Sequence, residues 1–314
     1  MGNKSQEENI IGDMIEYTKD KPLRVFEAFG GYGSQSLALK RLKQNFPEFD
    51  YKCVGYSDID KAAIKAYFAL HEGEDVVNYG DICTIDWNTV PDFDLFTYSF
   101  PCTDISNAGK QMGLGRDSGT RSSLLWECER AVEIKRPKYL LMENVKALLQ
   151  KKFLKDFHAW LNILEGFGYY NAFQVLNAAD YGVPQHRERV FCVSILRTAD
   201  NPDPTFSFPQ PFPLERKLKD VLEEHVDEKY YLSDKMLEYF QRVNDDNNHG
   251  HKFKPTDGEC SARTVKAKDI DADSNFVKVM GRCSNSQDGV VVNADGISPT
   301  HTAGHSNCPK IFEE

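Results

Sequence analysis

One cysteine stands where an α/β enzyme could carry its reacting group. Cys102 closes the turn Ser99–Cys102, which follows the apolar and aromatic segment Phe93–Tyr98. Because open α/β sheets do their chemistry at the carboxyl ends of their parallel strands, a thiol just past such a strand is a candidate nucleophile. Pro101 fixes one backbone angle and stiffens the turn that presents the thiol. The alternative is a buried cysteine that acts as a small hydrophobe.

Two further motifs supply the groups that such a thiol needs. Glu143 directly follows the apolar segment Tyr139–Met142, which predicts another strand. A Q-x-R-x-R motif precedes a later apolar run, and its members are Gln185, Arg187 and Arg189. A thiol, an acid and guanidinium groups suggest covalent activation of a ring. The acid would protonate or hydrogen-bond a ring nitrogen, and an arginine would hold an exocyclic oxygen.

A glycine-rich turn upstream indicates a cofactor site. Leu23–Phe29 predicts a first strand, and it ends in the pattern F-x-G-x-G, formed by Phe29, Gly31 and Gly33. A helix is predicted from about Ser36 to Phe46. A strand, a glycine turn and a helix N-terminus in this order bind nucleotides. The third glycine of the dinucleotide fingerprint is missing, which disfavours a pyrophosphate site and a nicotinamide oxidoreductase.

Acids at the next two strand ends extend this site. Tyr51–Ser57 predicts a second strand that ends at Asp58, and a helix is predicted over Lys61–His71. A short strand at Val76–Tyr79 would precede Asp81. An acid at the end of the second strand can accept hydrogen bonds from ribose hydroxyls, although an acid at a helix start is also an ordinary N-cap. The expected partner molecule is an adenosyl cofactor.

The elements that position these residues alternate between strand and helix. This alternation predicts an α/β fold with a mostly parallel, doubly wound sheet. The later elements are helices at Leu124–Lys135 and Phe153–Phe167 and strands at Asn171–Leu176 and Val190–Leu196. The glycine-rich segment Gln111–Ser123 predicts a mobile lid, with an ordinary surface loop as the alternative.

The domain organisation follows from a change in composition. We expect a lead-in over residues 1–20 and a catalytic, cofactor-binding domain over residues 21–197. A linker and a smaller, irregular target-recognition domain would occupy residues 198–314. The linker is placed at Asn201–Pro213 because this stretch holds five prolines, which favour extended backbone.

Composition bounds the class of protein. The 314 residues are 40% hydrophobic and 27% charged, which is typical of a globular chain of roughly two domains. No apolar run approaches the ~20 residues of a membrane span, and residues 1–20 do not form a signal peptide, so we expect a cytoplasmic protein. The net charge of −10 argues against a nonspecific nucleic-acid coat but permits a local basic surface.

The eight cysteines show neither a C-x-x-C pair nor disulfide-like spacing, so we expect reduced thiols. A zinc site built from Cys260, Cys283 and Cys308 is disfavoured by their wide spacing. No metal is therefore expected.

Taken in order, these motifs resemble those of the cytosine-C5 DNA methyltransferase family. The resemblance covers roughly residues 23–197 and implies a Rossmann-like domain that uses S-adenosyl-L-methionine and releases S-adenosyl-L-homocysteine. It implies that a cytosine is flipped out of double-stranded DNA. Cys102 would add to ring carbon 6 while Glu143 contacts N3 and the exocyclic amine, and carbon 5 would take the methyl group. Arg189, supported by Arg187, would contact the base O2.

The resemblance also implies roles for the remaining residues. The cofactor side would use Phe29 on the adenine, Asp58 on the ribose and Asp81 on the adenine amine, together with Gly31, Gly33, Ile59, Ile82, Pro101 and Leu124. On the substrate side, Phe100 would line the base, Asn144 would brace the proline–cysteine turn, and Gln185 would complete the site.

The chain departs from the family pattern at three places. Thr103 stands where glutamine is commonest, and Asp58 where glutamate is usual. Gly296–Gly304 resembles the end of the recognition region, but the family's R-x-x-T-x-x-E segment and its final cofactor-side motif are not found after it. We therefore expect either a truncated sequence or a second polypeptide that supplies these motifs. Alternatives are a tRNA cytosine-5 methyltransferase and a non-catalytic DNA-binding subunit of a split methyltransferase.

Overall fold

A computed structural model describes residues 16–106, 112–116 and 118–221, and scattered positions between 233 and 263. The chain divides into two compact units. The first holds the described residues up to Val175 together with Arg189–Phe208, and the second holds Leu176–Glu188 and the described residues from Pro209 onward. This division assigns Leu176–Glu188 to the second unit, whereas the predicted boundary lies at residue 197. Among the described residues, no helix is long and apolar enough to cross a membrane.

A six-stranded sheet forms the centre of the fold, with the strand order β2-β1-β3-β4-β7-β5. Its strands are β1 Leu23–Ala28, β2 Tyr51–Ser57, β3 Leu95–Tyr98, β4 Tyr139–Val145, β5 Tyr169–Asn177 and β7 Glu188–Leu196. Strands β2, β1, β3 and β4 pair in parallel, and β7 pairs antiparallel with β4. In the second unit, β6 Gln185–His186 pairs with β8 Ala262–Arg263. The predicted mostly parallel α/β sheet is confirmed.

Four described α-helices connect or flank the strands. They are α1 Ser34–Asn45, α2 Lys61–Leu70, α3 Glu127–Lys135 and α4 Lys151–Gly166. Short 3-10 helices lie at Ile82–Thr84, Arg121–Trp126, Lys146–Leu149, Ala178–Tyr181 and Leu218–Val221. Helix α4 is amphipathic, since its buried residues recur every three or four positions: Phe153, Phe157, Trp160, Leu161 and Leu164.

The core on one face of the sheet is dominated by aromatic side chains. Its fully buried members include Phe26, Trp87, Phe96, Tyr98 and Trp160. Burial of each contributes on the order of 1.5–3 kcal/mol. The indole Nε1 of Trp160 donates to the Tyr98 hydroxyl at 3.1 Å, so α4 is joined to β3 at a fixed position without leaving that donor unpaired.

Two predicted segments differ from the structure in the type of element that they form. The predicted strand Val76–Tyr79 was wrong, because this segment forms only an isolated bridge between Asn78 and Tyr56. The Asn78 side chain accepts from the backbone N–H of Gly80 at 2.9 Å, and this bond turns the chain out of the sheet. The predicted helix Leu124–Lys135 is α-helical only from Glu127, because Arg121–Trp126 forms a 3-10 helix.

Strand β4 extends three residues beyond the predicted Met142. Its last residues pair antiparallel with β7, and Val145 lies opposite Arg189. Glu143 and Asn144 are therefore strand residues whose side chains point to opposite faces of the sheet. Glu143 is partly exposed, whereas Asn144 is buried.

Candidate active site

The turn that carries Cys102 is tied to the end of β4. Strands β3 and β4 are parallel neighbours with Tyr98 opposite Met142, so the chain leaves both at the same edge of the sheet. The buried Asn144 side chain donates from Nδ2 to the backbone carbonyl of Phe100 at 2.9 Å. This bond holds the Ser99–Cys102 turn against the strand that carries Glu143.

A second clamp holds the turn from its other side. The Ser122 hydroxyl donates to the Pro101 carbonyl at 2.7 Å, and the Ser122 backbone N–H donates to Oδ2 of Asp104 at 3.2 Å. The Cys102 carbonyl accepts from the backbone N–H groups of Ile105 at 3.1 Å and Ser106 at 2.8 Å, three and four positions further along the chain. Cys102 itself is partly buried. Its backbone is therefore fixed at both ends while its side chain keeps some exposure.

Glu143 forms an ion pair with Arg189. The distance from Oε1 of Glu143 to Nε of Arg189 is 3.1 Å, and the two side chains are 23% and 17% exposed. Since Arg189 lies opposite Val145 in the β4–β7 ladder, Glu143 is its diagonal neighbour on the same face of the sheet. The pairing of these strands thus brings the acid and the guanidinium together beside the Cys102 turn.

The glycine turn adopts a backbone that side chains rarely tolerate. Phe29, Gly31 and Gly33 have positive φ angles of 54°, 58° and 80°. A Cβ atom on Gly33 would lie 2.3 Å from Nε2 of His71, so only glycine fits there. A Cβ on Gly31 would meet no atom within 4 Å, so the turn is open at that residue. A non-glycine residue held in the left-handed region, as Phe29 is, often marks a functional site.

Asp58 closes the turn from β2. Its Oδ2 accepts from the Gly31 backbone N–H at 2.9 Å, and its Oδ1 accepts from the Asp60 N–H at 2.8 Å. Each carboxylate oxygen has two lone pairs and can accept a further bond from a ligand hydroxyl. Ile59 beside it is 71% exposed, an unusual position for a large apolar side chain. The geometry therefore suits a ribose hydroxyl at Asp58 and a flat ring against Ile59.

The other predicted site residues range from exposed, as Asp81 is, to fully buried. Asp81 caps the 3-10 helix Ile82–Thr84 by accepting from the Cys83 N–H at 3.0 Å, so its N-cap role is present. Ile82 and Phe100 are each 2% exposed and belong to the main core. Leu124 and Pro101 are partly buried. The ligand contacts predicted for these residues stay predictions.

Gln185 and Arg187 lie in the second unit. Gln185 is in β6, and the Arg187 backbone N–H donates to Oδ1 of Asn177 at 2.9 Å. Their predicted contacts with the base stay predictions. Cys260, Cys283 and Cys308, whose wide spacing disfavours a zinc site, lie outside the described residues.

The described part of the predicted lid is packed against the first unit. Leu114 is fully buried, and its carbonyl accepts from the Trp126 indole Nε1 at 2.7 Å. The Arg116 guanidinium lies 4.6 Å from the centre of the Trp126 ring and is ion-paired with Glu129. Within 112–116 and 118–123 the chain therefore has fixed anchors, and lid closure on a substrate stays a prediction.

A buried polar cluster behind the glycine turn was not predicted. Glu27 in β1 is fully buried, and its carboxylate accepts from the Ser36 backbone N–H at 3.0 Å, the Ser36 hydroxyl at 2.6 Å and the Tyr67 hydroxyl at 3.1 Å. These bonds connect β1, α1 and α2 around the turn. The sequence signal was an acid among the apolar residues Val25–Ala28 at the end of β1.

Glu27 is expected to make stability depend on pH. Burial raises the pKa of this carboxyl above its ordinary value of 4.5, since desolvation outweighs the hydrogen bonds. Its stabilising contribution is therefore complete below the unfolded pKa and is lost as the pH rises through the folded pKa. Urea unfolding from pH 4 to pH 8 should show the wild type losing stability relative to Glu27→Gln as the pH rises. A pH-independent difference between the two proteins would contradict this.

The fold and site together define a class of protein. The sheet is mostly parallel, with a glycine turn after β1, an acid after β2, a cysteine turn after β3 and, on β4, an acid paired with an arginine. These features place the chain in the class of Rossmann-like α/β proteins with a candidate site at the carboxyl edge of the sheet. A model of the C-5 cytosine-specific DNA methylase family matches residues 23–305. The chain belongs to this family.

Individual relatives agree with this assignment. The type II methyltransferase M2.ScrFI of Lactococcus lactis subsp. cremoris is 44% identical over 266 residues, which cover 68% of this chain and 71% of that protein. The orphan methyltransferase M.SssI of Spiroplasma monobiae is 35% identical over 280 residues, 70% of each chain. The crystal structure of a Spodoptera frugiperda DNMT2 mutant has the same fold, with a TM-score of 0.59 at 20% identity over 77% of this chain and 69% of that chain.

Proposed function

We propose that this chain methylates carbon 5 of a cytosine flipped out of duplex DNA, through a covalent adduct with Cys102. The observation that carries the proposal is the bond from Asn144 to the Phe100 carbonyl, because it joins the cysteine turn to the strand that presents Glu143. A base at this edge has a nucleophile on one side and an acid–arginine pair on the other.

Each side chain has a defined task in this reaction. The Cys102 thiolate adds to carbon 6 of the base, and the electrons of the C5–C6 double bond move toward carbon 5 and N3. Glu143 holds the proton at N3, and Arg189 stabilises the charge that develops on O2. Carbon 5 takes the methyl group, a base removes the C5 proton, and the re-formed double bond expels the thiolate.

The methyl donor proposed for this site is S-adenosyl-L-methionine, which supplies an electrophilic methyl group on its sulfonium. The residues fit it, since Gly31 offers open space in the turn, Asp58 offers carboxylate oxygens and Ile59 offers an exposed apolar surface. Phe29, Asp81 and Leu124 complete the proposed site. Duplex DNA is favoured over tRNA because the matching family model is that of DNA methylases. A second polypeptide that supplies the C-terminal motifs stays a prediction.

Trapping with a fluorinated base tests the proposal without knowledge of the target sequence. Fluorine at carbon 5 cannot leave as a proton does, so the reaction should stop at the cysteine adduct. The probe is duplex DNA with a randomised segment in which one strand carries 5-fluorocytosine. With S-adenosyl-L-methionine we expect a complex that survives denaturation, and sequencing of the trapped DNA gives the target site. Trapping of a fluorinated tRNA but not of the duplex would overturn the DNA assignment.

A further inference from the structure

Four exposed lysines lie just beyond Glu143 along the chain. They are Lys146, Lys151, Lys152 and Lys155, here called the lysine patch. No aspartate or glutamate lies between positions 146 and 155. In a chain with a net charge of −10, this is a local reversal of sign. Local clusters of one sign guide charged ligands more than net charge does.

The geometry of α4 turns the patch outward. Its buried residues, from Phe153 to Leu164, define the face that packs on the sheet. At 100° per residue, Lys151 and Lys155 fall on the opposite face, and Lys152 lies beside them. Asp156, the nearest acid along the helix, is partly buried on the flank of this face. Lys151 and Lys155 therefore lie on the exposed face of α4, and the Lys152 ammonium lies 5.2 Å from the centre of the Phe153 ring.

Helix stability does not account for the patch. The first turn of α4 has no acidic residue, and Gln150 makes no side-chain cap. Lysines at a helix N-terminus are disfavoured by the helix dipole. Lysines that cluster where the helix dipole disfavours them point to a ligand of opposite charge.

The patch lies at the same edge of the sheet as the candidate active site. Strand β4 ends at Val145, the 3-10 helix Lys146–Leu149 follows directly, and α4 begins there. Duplex DNA carries one negative charge per about 1.7 Å of its axis. A duplex that delivers a cytosine to Cys102 and Glu143 therefore brings phosphates to this edge.

We propose that the lysine patch binds the sugar–phosphate backbone of duplex DNA beside the flipped cytosine, an inference that rests on the proposed function. Phosphate contacts carry no sequence information, so the patch contributes affinity and orientation for every sequence alike. The DNA contact proposed here is positively charged although the chain is acidic, and it lies outside the predicted recognition domain.

The salt dependence of DNA binding tests the patch. The variant Lys151→Gln/Lys155→Gln is compared with Lys19→Gln/Lys52→Gln, which removes the same charge from exposed positions at the amino edge of the sheet. Affinity for the randomised duplex is measured from about 50 to 200 mM salt. Log K falls as log salt rises, and each lost phosphate contact makes this negative slope less steep by about 0.9. We expect the slope of the patch variant to be less steep than that of the wild type by about two, and the slope of the control variant to equal that of the wild type.

Two results would overturn the inference, and they are distinguishable. Equal slopes for the two variants, with wild-type binding intact, would leave the proposed function standing and remove the patch from the DNA interface. A wild type without measurable affinity for duplex DNA would overturn both proposals together. Urea unfolding of both variants checks that the lysine substitutions leave the fold unchanged.

Discussion

Cys102→Ser is expected to lower kcat on duplex DNA by on the order of 10⁴-fold or more and to abolish adduct formation. A serine hydroxyl is nearly the size of the thiol but is far less ionised and less nucleophilic near neutral pH. The turn that carries it is fixed by hydrogen bonds from the side chains of Asn144 and Ser122 to backbone carbonyls, neither of which involves the sulfur. The loss should therefore be chemical, and binding of S-adenosyl-L-methionine, measured by calorimetry, should stay within about twofold.

Cys83→Ser provides the matched control. Cys83 is an exposed thiol of the first unit, and a serine keeps the ability to hydrogen-bond Asp81, so its replacement should leave turnover and trapping unchanged. Equal unfolding midpoints in urea for the two variants would exclude a folding defect. Measurable turnover by Cys102→Ser at a tenth of the wild-type rate would contradict the covalent mechanism.

The parts of the fold that were predicted correctly are those whose signal is local. Strand β2 begins and ends as predicted, because its apolar run is bounded by the helix-capping acid Asp60. The glycine turn was recognisable because positive φ angles select glycine at Gly31 and Gly33. Cys102 and Glu143 were recognisable because each follows its own apolar run.

The parts that were missed depend on residues distant in sequence. The length of β4 is set by its pairing with β7, whose residues lie about 45 positions later. The residue types in β7 do not identify β4 as its neighbouring strand. Ser122 and Asp104 clamp the cysteine turn across 18 residues, and Glu27 reaches Tyr67 across 40. Polar residues of these types usually lie in loops or caps, so only the folded chain shows which of them are structural.

Glu143→Gln is expected to lower kcat by about 10²–10⁴-fold, the contribution typical of a positioned general acid. Glutamine keeps an oxygen that can accept from Nε of Arg189 over the present 3.1 Å, so the local geometry should survive. What is lost is the group that can hold a transferable proton at N3 of the base. Single-turnover trapping with the fluorinated duplex should show slower adduct formation at unchanged DNA affinity.

A variant at a second ion pair tests whether the loss of kcat comes from the lost proton-holding group or from the lost negative charge. Glu127 pairs with Arg130 at 3.0 Å on the surface of the first unit, where an ion pair contributes little to stability. Glu127→Gln removes the same charge and should leave kcat unchanged. The pH dependence of the rate decides the role of Glu143, because a proton-holding group contributes a limb to the pH–rate profile and a mere anchor for Arg189 does not. A Glu143→Gln profile that falls uniformly, with every limb of the wild type retained, would assign Glu143 to positioning Arg189 alone.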